Sequence, residues 1–266
     1  MTQRSIALSI AGSDSSAGAG VQADLKTFSA LGVYGASVIT AVTAQNTVGV
    51  RAIHMVPAPI VSAQIDAVFE DFEVAAVKIG MLGAPDIALA VAKALGERRT
   101  FVVYDPVLAS SSGGALARAG LMETAKARLL QYVDCFTPNL AEAAAFLKGD
   151  EARDEEAMRA QGAALMKLGP RAVLMKGGHL EGDAVDWLIT PEGEHRFAAA
   201  RLETPHLHGT GCTLSSAIAA YVTMGEPLVE AVRLAKIFAR DAIESGRGGR
   251  LGQGAGPLIQ MPLRQG

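Results

Sequence analysis

The chain reads as an α/β protein with a mainly parallel central sheet and helices on both faces. Three observations carry that reading. Short all-apolar runs alternate with longer segments of helical periodicity along the chain. The unusual polar and glycine residues fall at the carboxyl ends of the apolar runs, where open α/β sheets bind ligands. Half of the 266 residues are hydrophobic, 19% are charged and 5% are aromatic, so a sizeable, closely packed core is available.

Residues 6–12 form a buried strand on this reading, followed by a loop with polar punctuation at 13–20. A helix over 21–31 follows from the spacing of Val21, Leu25, Phe28 and Leu31. A second strand covers 37–44 and ends at Gln45. Pro57 and Pro85 each open a helix, where a missing N–H costs nothing. Between them, 74–79 is a strand ending at Gly80-Met81. Residues 101–104 form a strand ending at Asp105-Pro106. A helix over 115–131 follows the Ser/Gly-rich loop 110–114. Residues 133–137 are a short strand, and 140–147 and 155–168 are helices. Residues 172–175 form a strand ending at Lys176, and 186–190 pairs with 195–199 across the turn at 191–194. A glycine motif at 206–212 opens a small-residue helix over 213–221, and a last helix runs over 228–245. The Gly- and Pro-containing tail, 246–266, is expected to be a surface loop. No repeat and no long linker divides the chain, so one domain over 1–266 is expected.

The net charge of −3, without a basic run, disfavours nucleic acid or an acidic membrane as main partner. Cys135 and Cys212 are the two cysteines, with no CxxC and no zinc-ligand spacing, which suits a reducing cytoplasm. The run 6–10 near the start is too short for a signal peptide, and no segment reaches transmembrane length.

The chemistry centres on His208-Gly209-Thr210-Gly211-Cys212-Thr213. A tight glycine turn opening into a helix aligns backbone N–H groups at the positive end of the helix dipole, where an anion can sit. Cys212 in that first turn is expected to have a lowered pKa and to act as base or nucleophile. By itself the motif fits equally well a glycine loop that caps a buried helix around a small core cysteine. Lys176 beside Gly177-Gly178 can hold a phosphate as a point charge, although most lysines in loops are solvated. Asp105, Asn139 and Glu142 can hold Mg²⁺, while Asn139 and Glu142 also suit a capping box, the better reading of Asn139 alone. Asp24 in the first helix reads, in isolation, as part of a solvated face. Neither the Gly-x-x-x-x-Gly-Lys-Ser/Thr loop nor the dinucleotide fingerprint occurs in the right context, so any nucleotide is bound by another pattern.

Gly12-Ser13-Asp14, the segment 18–27, Thr43-Ala44-Gln45-Asn46-Thr47, Lys78-Ile79-Gly80-Met81, Asp105-Pro106-Val107, Thr137-Pro138-Asn139 with Glu142, Met175-Lys176-Gly177-Gly178 and the glycine motif occur in that order. Together they resemble the hydroxymethylpyrimidine/phosphomethylpyrimidine kinases of the ribokinase superfamily, over residues 6 to about 245. The cysteine in the glycine motif is the most specific feature. Related sugar kinases have aspartate there, and one bacterial type of pyridoxine kinase shares the cysteine.

The resemblance implies a ribokinase-like fold, ATP with Mg²⁺, and two successive phosphorylations of 4-amino-5-hydroxymethyl-2-methylpyrimidine in thiamine biosynthesis. It also implies a cytoplasmic homodimer. It makes Gln45 the pyrimidine reader, since a carboxamide offers a donor and an acceptor to an aminopyrimidine edge. Gly12, Asp24, Met81 and Val107 would line the same pocket. Gly209, Thr210, Gly211 and Cys212 would form the anion hole, with Cys212 at the base position. Lys176, Lys236 and Asn139 would meet the nucleotide, and Asp105, Asn139 and Glu142 would organise Mg²⁺. The sequence departs from the family pattern in loop 109–113, which lacks a lysine found in some relatives, and in tail 252–257, which lacks the usual histidines. The alternatives are a pyridoxine/pyridoxal kinase and a catalytically inactive pyrimidine-binding regulator. A pure binder has no use for Lys176, Asn139, Glu142 and Cys212.

Overall fold

The computed structural model describes residues 5–109, 114, 116–178, 182–249 and 251–261. Loop residues 110–113, the first residue of the expected helix at 115, and 262–266 lie outside the described residues. The strands are β1 (Ile6–Asp14), β2 (Tyr34–Asn46), β3 (Gly49–Met55), β4 (Ala76–Ile79), β5 (Phe101–Tyr104), β6 (Cys135–Phe136), β7 (Ala172–Lys176), β8 (Ala184–Thr190) and β9 (Gly193–Ala199). They form a nine-stranded sheet in the order β3-β2-β1-β4-β5-β6-β7-β8-β9.

The expectation of a mainly parallel sheet is corrected, because the sheet is mixed. Parallel pairing runs from β2 to β7, and β3, β8 and β9 pair antiparallel. The hairpin of β8 and β9 matches the turn signal at 191–194. The strand β3 has no counterpart in the sequence reading. It is a half-exposed edge strand whose apolar positions are interrupted by Arg51 and His54, so it carries no buried-strand signature. Asn46 turns the chain into it by accepting hydrogen bonds from the N–H groups of Val48 and Gly49.

Successive strand residues point to opposite faces, and each face has its own core. Leu8, Val77 and Val102 pack on one side against α2 (Ala58–Asp71), α3 (Pro85–Gly96), α5 (Leu140–Leu147) and α6 (Glu155–Met166). Ala7, Ala76 and Val103 pack on the other against α1 (Gly20–Ala30), α7 (Thr210–Thr223) and α8 (Leu228–Arg247). Each fully buried side chain of leucine or phenylalanine size contributes ~1.5–3 kcal/mol. The helix α7 lies deepest, and its Ala217, Ala219 and Ala220 let it approach the sheet closely. The expected helix at 115–131 is shorter than its pattern suggested. Gly120, with φ of +83°, starts α4 (Leu121–Thr124), which continues through a π turn at Ala125–Leu129. The tail is not wholly on the surface: Leu258 and Gln260 are buried, and Gln260 donates to the Thr213 hydroxyl at 3.0 Å. Among the described residues, no helix is long and apolar enough to cross a membrane.

Candidate active site

A cavity of about 850 Å³ opens at the carboxyl ends of the parallel strands. Gly12, Gln45, Met81, Asp105, Val107, Asn139, Glu142, Lys176, Gly209, Thr210, Gly211, Cys212 and Lys236 all line it. They come from eight separate stretches of sequence, brought together because parallel strands end on one side of the sheet.

The floor is glycine-built. Gly209 has φ of +90°, and a side chain there would run into the backbone carbonyl of Gly18. The loop after β1 and the start of α7 therefore press backbone to backbone. A Cβ on Gly211 would stand 3.3 Å from both Lys176 Nζ and Asp105 Oδ2. The first turn of α7 carries no side-chain cap, which leaves its N-terminal end suited to an anion. Thr210 turns its hydroxyl back to the carbonyl of Leu207, at 2.8 Å.

Lys176 ends β7 and lies 2.6 Å from Asp105 and 3.8 Å from Glu142. Burial works against its charge, but the two carboxylates outweigh burial and raise its pKa. Burial also lifts the Glu142 carboxyl well above the usual carboxylate range; Lys176 opposes this and Asp105 adds to it. Asn139 and Glu142 do form the capping box of α5: Asn139 Oδ1 accepts from Glu142 N at 2.8 Å, and Glu142 Oε2 accepts from Asn139 N at 2.7 Å. One lone pair of the Asn139 oxygen is thus used by the helix, and its second lone pair and its NH₂ group are what it can offer a ligand. Among the described residues, no three His, Cys, Asp or Glu side chains converge as a metal cage. Asp105 and Glu142 are the carboxylates at hand, a set suited to Mg²⁺ held largely by phosphate oxygens and water.

Two expectations are corrected. Asp24 does not line the cavity, nor does it sit on a solvated face. It is fully buried, accepting from Lys78 Nζ at 2.8 and 2.9 Å, Ser9 Oγ at 2.6 Å and Ser216 Oγ at 2.8 Å. Asp24 lies on the buried face of α1, which packs on the sheet where Lys78 stands on β4. The Cys212 thiol is not lowered. Burial pushes it up to about 11, Asp24 and Asp105 add to this, and Lys78 and the Gly20 N–H oppose it. The helix dipole was legible in the sequence; the burial and the two aspartates were not.

The sequence reading missed Asp14, Asp186 and the His208 side chain as cavity residues. His208 Nε2 lies 2.9 Å from Asp14 Oδ2. Asp186, on β8, accepts from Gly177 N at 3.0 Å and pairs with Lys236 on α8. The available signals were an aspartate at the end of β1 and a lone acid in an otherwise apolar strand.

Comparison with known proteins agrees with the motifs. A family profile described as phosphomethylpyrimidine kinase matches residues 14–259. A hydroxymethylpyrimidine/phosphomethylpyrimidine kinase of Rhizobium meliloti is 52% identical over 95% of this chain and 96% of its own. A crystal structure of phosphomethylpyrimidine kinase from Clostridium difficile superposes with a TM-score of 0.80 at 44% identity, covering 90% of this chain and 99% of that one. An ADP complex of Bacillus subtilis pyridoxal kinase superposes with a TM-score of 0.89 at 32% identity, covering 98% and 99%.

Proposed function

The chain belongs to the hydroxymethylpyrimidine/phosphomethylpyrimidine kinase family of thiamine biosynthesis, and from that premise we propose how its cavity works. The reaction is ATP-dependent phosphorylation of 4-amino-5-hydroxymethyl-2-methylpyrimidine, then of its monophosphate. The observation that carries the proposal is one cavity lined by two chemically different groups. Gln45, Gly12, Met81 and Val107 offer a carboxamide among apolar walls, as a flat heteroaromatic ring requires. Lys176, Lys236 and the N-terminal turn of α7 offer positive charge and N–H groups, as a transferring phosphoryl group requires.

Asp105 and Glu142 would hold Mg²⁺, which supplies charge neutralisation on the phosphates. Lys176 would exchange part of its contact with Asp105 for phosphate oxygen. Gly209, Thr210 and Gly211 keep side chains clear of the transferring group. Cys212 takes the proton of the acceptor hydroxyl. With its thiol at about 11, it does so from a small ionised fraction at neutral pH. Of the two aspartates that raise the thiol, Asp105 is the one a bound cation would neutralise. The chain acts as one domain, in the cytoplasm, as a homodimer.

The likeness to pyridoxal kinase favours a second acceptor, pyridoxine, at the same site. A substrate panel separates the readings. ADP release should require an alcohol acceptor and should be fastest with the pyrimidine and its monophosphate. Faster turnover of pyridoxine would assign the chain to the second reading. Tight pyrimidine binding without ADP release would make it a regulator.

A further inference from the structure

The carboxamide of Gln45 has two ends of nearly equal shape and opposite polarity, so its orientation decides what it can read. Three neighbours fix that orientation. Asp14 is 3% exposed, and its carboxylate receives the Ser16 N–H and hydroxyl at 2.8 Å each and the Ala19 N–H at 2.9 Å. Burial raises the Asp14 pKa, but the bonds from His208, Ser16 and Ala19 outweigh it and the net shift is downward. An ionised Asp14 makes the 2.9 Å contact from His208 Nε2 a donated one, so that nitrogen carries its hydrogen. The third neighbour is Thr43. Its Oγ1 is 3.0 Å from the Ser13 carbonyl, which can only accept, so the single hydroxyl hydrogen goes there. Thr43 oxygen is then an acceptor towards Gln45.

In the resting structure Gln45 turns its oxygen to Thr43, at 3.2 Å, and its nitrogen to His208 Nε2, at 3.5 Å. That sets two N–H groups against each other and asks one hydroxyl hydrogen to serve two oxygens. A half-turn of the carboxamide removes the N–H to N–H clash and frees the Thr43 hydrogen for the Ser13 carbonyl alone; the His208 N–H, donated to Asp14 at 2.9 Å, is then shared weakly with the amide oxygen. The NH₂ group then donates to Thr43, and the oxygen faces the His208 N–H. One N–H and one oxygen lone pair remain for a ligand, in a fixed left-to-right order.

We propose that His208, anchored on Asp14, and Thr43 are positioning residues that hold the Gln45 carboxamide one way round and so select the amino form of the pyrimidine edge. This rests on the reading of Gln45 as the group that meets the pyrimidine. The 4-oxo analogue of the substrate reverses that edge: it has a ring N–H in place of the bare nitrogen and a carbonyl in place of the amino group. A fixed carboxamide distinguishes the two, and a freely turning one meets either.

The test is calorimetric binding of the 4-amino and 4-oxo pyrimidines to the wild type and to H208L, H208Q, T43V and Q45L. The preference for the amino form should fall about tenfold in H208L and in T43V, each of which removes one of the two groups that hold the amide. It should return in H208Q, whose amide can donate to Asp14 and to Gln45 from the same place. An unchanged preference in T43V, or in H208L if it folds, overturns the proposal. Q45L separates this from the underlying reading. If Q45L abolishes the preference while T43V keeps it, the positioning role alone fails; if Q45L also keeps it, Gln45 does not meet the pyrimidine.

Discussion

Two lysine–aspartate pairs sit on the same sheet and do different work. Lys78 on β4 meets Asp24 with both side chains at 0% exposure. Lys176 at the end of β7 meets Asp105 with the lysine 14% and the aspartate 2% exposed. Asp24 also accepts from Ser9 and Ser216, so this pair ties β1, β4, α1 and α7 together with all its partners inside the protein. Lys176 instead has two carboxylates to choose between and one side open to the cavity. A sealed pair with its hydrogen bonds complete has nothing left to offer a ligand. An open pair whose partners can be exchanged has donors and acceptors to offer a ligand. Both pairs join a lysine to an aspartate; Lys78 stands inside β4 whereas Lys176 is the last residue of β7, and that difference of position sets one pair in the core and the other at the cavity.

The largest expected effect comes from breaking the sealed pair. Lys78→Met leaves the Asp24 carboxylate buried without its cation, which should cost ~3–5 kcal/mol of stability. Urea unfolding measures it. A loss no larger than that of Lys176→Met would erase the distinction between the pairs.

Next is Cys212, which borders both pairs electrostatically. Cys212→Ser should lower kcat by ~10²–10⁴-fold if the thiol is the base, with ATP affinity little changed. Because the thiol titrates at about 11, the wild-type rate should still be rising with pH between 7 and 9. The sign follows from the ionised form being the active one and scarce below its pKa. A flat profile together with full activity of the serine variant would reduce Cys212 to packing.

The smallest effect sharpens the comparison from within the sealed pair. Ser216→Ala removes one donor to Asp24 and keeps the helix, so thermal or urea unfolding should show a loss of ~1.5–3 kcal/mol. Ground-state affinity for the pyrimidine should be unchanged. An affinity loss instead would place Asp24 in the substrate site after all.

These pairs also show what a sequence can disclose. The alternation of strands and helices was legible because the inner parallel strands β4, β5, β6 and β7, buried on both faces, are short and mostly apolar runs. The edge strand β3 was not, since an exposed strand with Arg51 and His54 has no such run. The cavity was legible as glycine and polar residues at strand ends, because parallel topology gathers those ends on one side. Which way Asp24 points, and that Cys212 is buried between two aspartates, depend on contacts between residues far apart in sequence. His208 and Asp14 were hidden for the same reason: they are separated by 194 positions, and their pairing appears only in the fold.

The central claim is that the open pair marks the phosphate end of the cavity and Gln45 the pyrimidine end. Lys176→Met tests it most directly, with steady-state kinetics and pyrimidine titration on the same preparation. The account predicts that kcat falls by ~10²–10³-fold while the dissociation constant of the pyrimidine stays within a factor of about two. A raised pyrimidine KM with normal kcat would contradict it and move Lys176 to the other end of the site.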